Sequence, residues 1–380
     1  MNYKDAKYLI VGAGFFGAVI AERIANDLNE KVIVIDKRSH IGGNSYTEVD
    51  SDSGIEVHKY GSHIFHTSDK AVWNYINKFC SFNNYRHKVL TEYKNAIYQM
   101  PINLNTINSF YGVNLKPYEV EGFLKKEIAK ELIVNPSNLE EKAISLIGRP
   151  LYEAFIKGYT KKQWNLDPKD LPESIITRLP VRYDHNYFYF SDEWEGIPKE
   201  GYTHIFKALL DNKNIDLKLD TDYFDIKDLI NKDCLLIYTG AIDQLFDYKY
   251  GQLGWRTLRF ETEVINVKDF QGTTVVNYAD AKVPYTRIHE FRHFHDERNY
   301  PDDKTVIYKE FSLNLNNDFS EPFYPINTKK DKDILDQYLN EVKKHPDIIL
   351  GGRLGTYKYL NMDTVIAEAL TTYEEKIKNR

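Results

Sequence analysis

Cysteine is almost missing from this 380-residue chain: Cys80 and Cys234 stand alone, with no CxxC spacing. No disulfide framework or paired thiolate ligand set can be built from them, and we expect core thiols in a reducing compartment. Long apolar runs are also lacking, and nothing approaches the ~20 residues that span a bilayer. The lead-in Met1-Asn-Tyr-Lys-Asp5 leaves no room for a signal peptide, so a soluble, cytoplasmic protein is expected. Positive charge is not in excess: Lys and Arg total 50 against 56 Asp and Glu, a net charge of −6. That removes the basic footprint of a nucleic-acid binder and means an anionic ligand must be held by local cations. There is no Walker A loop, no Gly-x-Ser-x-Gly elbow and no internal repeat. No side chain declares itself as the nucleophile.

What is abundant is aromatic. The chain has 29 Tyr, 20 Phe and 4 Trp, a stock suited to a pocket that stacks flat rings and offers hydroxyls to phosphates or sugars. The clearest signal lies between residues 8 and 43. Tyr8-Leu-Ile-Val11 reads as a buried strand, followed by Gly12-Ala-Gly14-Phe-Phe-Gly17, a helix over Ala18–Leu28, and a second strand Val32-Ile-Val-Ile35 ending in Asp36. Gly12 permits the turn, Gly14 lets backbone approach a pyrophosphate, and Gly17 allows close strand–helix packing. The helix N-terminus offers unpaired N–H groups, and Asp36 is placed for ribose hydroxyls. This is a flavin-type dinucleotide site, with Gly42-Gly43-Asn44 as a second glycine pair passing the cofactor.

From about Ala71 the pattern turns helical. Pro117 suits a first helical position, Asn138 an N-cap, and Pro150 opens a helix carrying Tyr152, Phe155 and Tyr159 on one face. Segments such as Tyr187–Phe190, Arg256–Phe260, Thr273–Asn277 and Thr305–Tyr308 read as antiparallel strands. Leu235–Gly240 and Ile348–Leu350 read as further parallel strands, and Asp363 as the N-cap of a helix to Ile377. The organisation expected is a nucleotide domain made of 1–78, 196–246 and 330–380, and a helical domain over 79–172 with a mobile lid near 160–178. A sheet domain takes 173–195 and 247–329.

Three groups could carry chemistry. Tyr60-Gly-Ser-His63 puts an imidazole either beside the cofactor or in a hydrogen-bonded core. Gly158-Tyr159-Thr160-Lys-Lys-Gln-Trp164 supplies either a ligand clamp or a core tryptophan. Arg178-Leu-Pro-Val-Arg182, with Arg287 elsewhere, offers forks that match diphosphate oxygens or exposed ion pairs. His289-Glu-Phe-Arg-His293 is a literal HExxH, but it follows an extended-looking run. Strand residues four apart lie about 13 Å from each other, too far to share a metal, and no metal is expected.

Taken together, VGAGFFGAV, DKRSHIGGN, YGSHIFHT, YEAFIKGYTKKQW, RLPVR, VPYTRI, FYPI and GGRLGTYKYLNMD resemble the flavin-dependent UDP-galactopyranose mutases, in order along nearly the whole chain. The resemblance implies an α/β fold: a discontinuous Rossmann-like FAD-binding domain with a helical insertion domain and an antiparallel β-sheet domain. It implies interconversion of UDP-galactopyranose and UDP-galactofuranose without net redox change, supplying furanose units for surface polysaccharide. N5 of reduced FAD attacks the anomeric carbon, UDP leaves, and the opened sugar recloses. A homodimer is implied.

Carried over by position, His63, Arg178 and Arg287 would be catalytic. Gly12, Gly14, Phe16, Gly17, Asp36, Lys37, Gly43, Asn44, His63, Ile64, Arg353, Leu360, Asn361, Met362 and Asp363 would hold FAD. His87, Phe155, Tyr159, Thr160, Trp164, Arg178, Tyr187, Arg287, Tyr324 and Tyr359 would meet the substrate. Ser62, His87, Ile156 and Asn361 depart from the family pattern. UDP-N-acetylgalactosamine or a dTDP-6-deoxy sugar therefore stays open as substrate, and an amine-oxidase-like flavin oxidoreductase stays open as the alternative.

Overall fold

A computed structural model of the chain describes residues 2–176, 181–315 and 321–380. In chain order the strands are β1 (Tyr8–Val11), β2 (Val32–Ile35), β3 (Thr47–Val49), β4 (Glu56–His58), β5 (Phe65–Thr67), β6 (Val89–Tyr93), β7 (Ala96–Met100), β8 (Trp194–Gly196), β9 (Ile215–Lys218), β10 (Leu235–Tyr238), β11 (Trp255–Ile265), β12 (Val275–Tyr278), β13 (Arg287–Glu290), β14 (Thr305–Asn314), β15 (Tyr324–Pro325) and β16 (Ile348–Leu350). Two sheets matter for the site.

The first is fully parallel, in the order β16-β10-β1-β2-β9. Its inner strands are apolar on both faces because both are covered, whereas the edge strand β9 alternates Ile-Asp-Leu-Lys. Ile10, Val32, Val34 and Ile237 face α1 (Phe15–Asp27) and the helices Tyr202–Leu210 and Met362–Lys376. Leu9, Ile33, Ile35 and Leu236 pack on the opposite side. The order reverses direction at β1, so a crevice opens where β1 and β10 end, the usual ligand position of a doubly wound sheet.

The second sheet runs β15-β11-β14-β13-β12-β6-β7 and is antiparallel except for β6 on β12. Its spine is the β11–β14 ladder, from Arg256–Asn314 to Ile265–Thr305. Helices Leu104–Tyr111, Pro117–Ile128 and Leu139–Ile147 enclose a separate core around Ile107, Val120, Leu124 and Ile144. The Asn138 side chain caps its helix at Glu141 N–H, and Pro117 occupies the first helical position, both as expected.

Some expectations are corrected. Residues 89–100 are not helical but a hairpin of the seven-stranded sheet. Its two-residue turn, Lys94-Asn95, takes φ of 51° and 63° without any glycine, so the usual sequence mark of a primed turn is missing. Tyr187–Phe190 is no strand; only Phe188 bridges, to Lys88. The N-cap position of the C-terminal helix is Asn361, whose side chain makes no capping bond, and Asp363 lies in the first turn. Tyr152–Lys157 forms a π-helical turn rather than an α-helix. Among the described residues no helix is long and apolar enough to cross a membrane.

A tight constraint between α1 and the first sheet is Gly17, where a Cβ would lie 2.0 Å from the Gly12 carbonyl oxygen and 2.9 Å from Ile10 Cγ2. Gly17→Ala should cost about 2 kcal/mol or more by overpacking. Urea unfolding is the check, and an unchanged midpoint would disprove the close approach.

Candidate active site

The glycine turn is built as a cradle. Gly12 has φ of +106°, and a Cβ there would run into Thr239 Oγ1 at 2.0 Å, so the end of β10 closes on the turn. Gly14 caps α1 by backbone alone, with no side chain on its N-terminal N–H groups. Gly43, at φ +55°, brings the second glycine pair so close that its Cβ would be 3.3 Å from Gly14 Cα. Asp36 Oδ2 accepts from Ala13 N–H and Oδ1 from Arg38 N–H, both at 2.9 Å. A carboxylate has about four acceptor positions, so hydroxyls can still be taken.

Arg38, which sequence reasoning passed over, proves central to this end. It lies 4.4 Å above the Tyr60 ring, bonds Asn44 Oδ1 at 2.9 Å and pairs with Glu321. Lys37 is exposed and only 3.6 Å from Glu321. Phe16 is 3% exposed, its ring pressed on Gly351, so its backbone rather than its ring faces the turn.

Beyond the cradle lies a cleft of phenols around two guanidinium groups. Arg353 donates to the carbonyls of Phe323 and Leu360, under the rings of Tyr359 and Tyr324, which stack on each other at 5.6 Å. Arg287, from β13, bonds the Tyr159 hydroxyl and lies 3.2 Å from Glu310 Oε1. Burial works against its charge, but Glu310 and the phenols of Tyr159, Tyr324 and Tyr189 keep it firmly protonated. Burial likewise raises the Glu310 carboxyl, and Arg287, His289 and Thr286 overcome this to bring it down to about 2. Burial pushes the Tyr159 phenol up to about 12.

His63 sits at the mouth of the cradle. Its Nδ1 must donate to the Gly61 carbonyl at 2.7 Å, so Nε2 carries the lone pair. Burial lowers its pKa to about 4, and the ring is neutral. His87 is 5% exposed, bonded through Nδ1 to the Tyr85 hydroxyl and brought down to about 3 by burial and the Arg287 charge. The helix Gly158–Trp164, which carries Tyr159, is fastened to the sheet. Lys162 Nζ donates to the carbonyls of Tyr278, Asp280 and Tyr285, and Gln163 O accepts from Arg256 and Ser312. A Cβ on Gly158 would meet Ala279 O at 2.3 Å.

The UDP-galactopyranose mutase family matches residues 154–359, and an NAD(P)-binding Rossmann-like domain matches 10–79. Over 378 residues the chain is 41% identical to the probable UDP-galactopyranose mutase of Klebsiella pneumoniae, covering 99% of this chain and 95% of that one. The chain belongs to the UDP-galactopyranose mutase family. It is also 40% identical, over 98% of itself and 99% of the other, to the dTDP-fucopyranose mutase of Escherichia coli. A crystal structure of reduced UDP-galactopyranose mutase shares the fold with a TM-score of 0.79 at 15% identity, covering 99% of this chain and 96% of that one. An oxidoreductase from Methanosarcina mazei shares it more loosely, at 0.57 and 12% identity, over 97% and 100%.

Within this mutase fold, His63, His87, Tyr159, Arg287, Tyr324, Arg353 and Tyr359 gather around one cleft. Other expectations fall elsewhere. Tyr187 turns to Lys88, whose Nζ is 5.2 Å from its ring. Tyr189 takes the place beside Arg287, pushed up by burial and drawn down by that charge. Phe155 is 4% exposed, edge-to-face with Tyr93, Tyr98 and Phe110, and keeps little ring surface for a base. Thr160 is buried, and Trp164 packs on the helical core. Ile64 packs against the cluster of Phe291 and Phe294. Met362 Sδ receives Ser45 Oγ–H, and Leu360 contributes its carbonyl to Arg353. Arg178 lies outside the described residues.

Only the first half of HExxH is extended, and its two histidines have different partners. His289 belongs to β13 and Glu310, whereas His293 follows in a 3₁₀ turn beside Asp269 and Glu290. Glu310 itself was missed: it sits in an ordinary strand sequence, and its partners come from residues 286–289.

The Glu310 shift gives a pH signature. Its contribution is complete above its unfolded value of 4.5 and is lost as pH falls through about 2, roughly 3 kcal/mol in all. The unfolding free-energy gap between wild type and Glu310→Gln should shrink by roughly that amount from about pH 5 to about pH 2. A pH-independent gap would refute the assignment.

Proposed function

We propose that this mutase-family protein interconverts UDP-galactopyranose and UDP-galactofuranose with no net redox change, using reduced FAD in the glycine-lined crevice. The carrying observation is Arg287: a half-buried, charged guanidinium ringed by Tyr159, Tyr189 and Tyr324. The residues fit that cofactor. The uncapped start of α1 and the touching backbones at Gly14 and Gly43 leave room for a pyrophosphate and none for side chains. Arg38, Asn44 and Asp36 would hold the nucleotide half, and Arg353 with the Leu360–Asp363 turn the flavin half. When bound, reduced flavin supplies an electron-rich ring nitrogen that can attack an anomeric carbon, which removes the need for a protein nucleophile.

The chain's own residues do the rest. Arg287 neutralises the diphosphate as charge grows on it, with Arg178 as the proposed second cation. Hydroxyls of Tyr159, Tyr324 and Tyr359 donate to phosphate oxygens. Neutral His63, its Nδ1–H engaged by Gly61, presents Nε2 as an acceptor toward the flavin edge. Anchoring of the Gly158–Trp164 helix keeps Tyr159 on Arg287 and water out.

A dTDP-6-deoxy sugar is the second reading, favoured by the dTDP-fucopyranose mutase relative at 40% identity, nearly equal to the 41% of the UDP-galactose one. Dithionite-reduced protein incubated with UDP-galactofuranose, and separately with dTDP-fucopyranose, decides by HPLC of the ring isomers. One equivalent of reductant should support many turnovers. Consumption of one equivalent per turnover would make it an oxidoreductase. Arg287→Ala should lower kcat about a hundredfold while FAD content stays normal, and near-normal turnover would remove Arg287 from the reaction.

A further inference from the structure

The first histidine of the HExxH motif is unused by the chemistry above, yet it is 1% exposed and both its ring nitrogens are bonded. Nε2 lies 3.0 Å from Glu310 Oε2, and Nδ1 lies 2.6 Å from Ser62 Oγ. A carboxylate only accepts, so Nε2 carries the proton. Burial keeps the imidazole neutral, so Nδ1 accepts from the Ser62 hydroxyl. The directions are therefore fixed along the whole chain of contacts.

We propose that His289 and Ser62 are positioning residues that tie the diphosphate-binding guanidinium to the flavin-facing loop through two hydrogen bonds and the Glu310–Arg287 ion pair. By occupying Oε2 of Glu310, His289 sets the carboxylate plane so that Oε1 accepts from Thr286 Oγ1 at 3.0 Å and forms an ion pair with Arg287, whose Nε lies 3.2 Å away without hydrogen-bond geometry. Ser62, at the other end, stands between Gly61 and His63. Gly61 binds the His63 ring through its carbonyl, and His63 N–H donates to His58 Nδ1 at 3.0 Å. The ring has its own packing, stacked parallel to Phe291 at 5.8 Å and edge-on to Phe260 at 6.1 Å, so its shape is separable from its hydrogen bonds. The relay crosses between the two binding halves: Ser62 follows β4 in the crevice loop, and Glu310 lies on β14 of the other sheet.

This inference rests on the nucleotide-sugar reading, and its test separates the two. With FAD-loaded protein, UDP and dTDP affinities are measured by calorimetry, and kcat with the better substrate. If wild type binds neither nucleotide, the nucleotide-sugar reading fails. If wild type binds and His289→Phe binds equally well, only the relay fails. His289→Phe keeps the ring and loses both bonds, and should weaken nucleotide affinity about tenfold and lower kcat, with FAD content unchanged. His289→Gln, whose amide N–H can reach Glu310, should recover most of that affinity. Ser62→Ala cuts only the loop end and should lower kcat about fivefold with affinity within about twofold. It carries the test if His289→Phe does not fold. A Ser62→Ala variant with wild-type kcat, or a His289→Gln variant no better than His289→Phe, would overturn the proposal.

Discussion

A guanidinium half-buried among phenols is the constraint on which this site depends. Left unpaired, the Arg287 charge would be expelled or its surroundings would rearrange, because a desolvated ion is costly without a partner. Glu310 supplies that partner, but a carboxylate at 5% exposure is itself costly and has its own retinue in His289 and Thr286. The result is a local set of charges that nearly balances, yet leaves guanidinium donors toward the cleft. Under the proposed function an incoming diphosphate would complete the set without first having to create it, which is the electrostatic preorganisation that leaving-group stabilisation requires.

The second constraint is backbone proximity. Three loops converge where β1, β10 and β16 end, and at each the chain approaches so closely that a methyl group would collide: Gly12 on Thr239, Gly17 on Gly12, Gly351 on Phe16. This crowding leaves the α1 N-terminus pointing into the crevice with nothing of its own to satisfy it. Arg287 comes from the other sheet, so under the proposed function the cofactor and nucleotide ends would be held by different layers. The Ser62–His289 contact spans that seam.

The nucleotide half was legible because its signals are local. Strand, glycines, helix and acid occupy one continuous stretch, and each residue's task follows from its neighbours. The cleft was legible only in part. Arg287 stood out through its setting and the family resemblance, but Glu310 has no motif, since its meaning comes from residues that reach it across β13 and from Ser62 in a distant loop. Tyr189 was displaced by Tyr187 in the sequence reading because an irregular segment gives no period by which to tell which ring turns inward. The hairpin at 89–100 escaped for a related reason: Lys94-Asn95 adopts a left-handed turn that its residue types rarely announce.

The π-turn at Tyr152–Lys157 has a consequence of its own. In an unbroken α-helix Tyr152, Phe155 and Tyr159 would form one stripe and serve one surface. The wider coil acts as a single-residue insertion and splits that stripe. Tyr152 and Phe155 stay with the helical core, the former through Glu140, while Tyr159 is released to meet Arg287. One surplus residue thus lets a single helix belong to two neighbourhoods. Any homologue that shed it would have to choose between a packed interior and a phenol on Arg287.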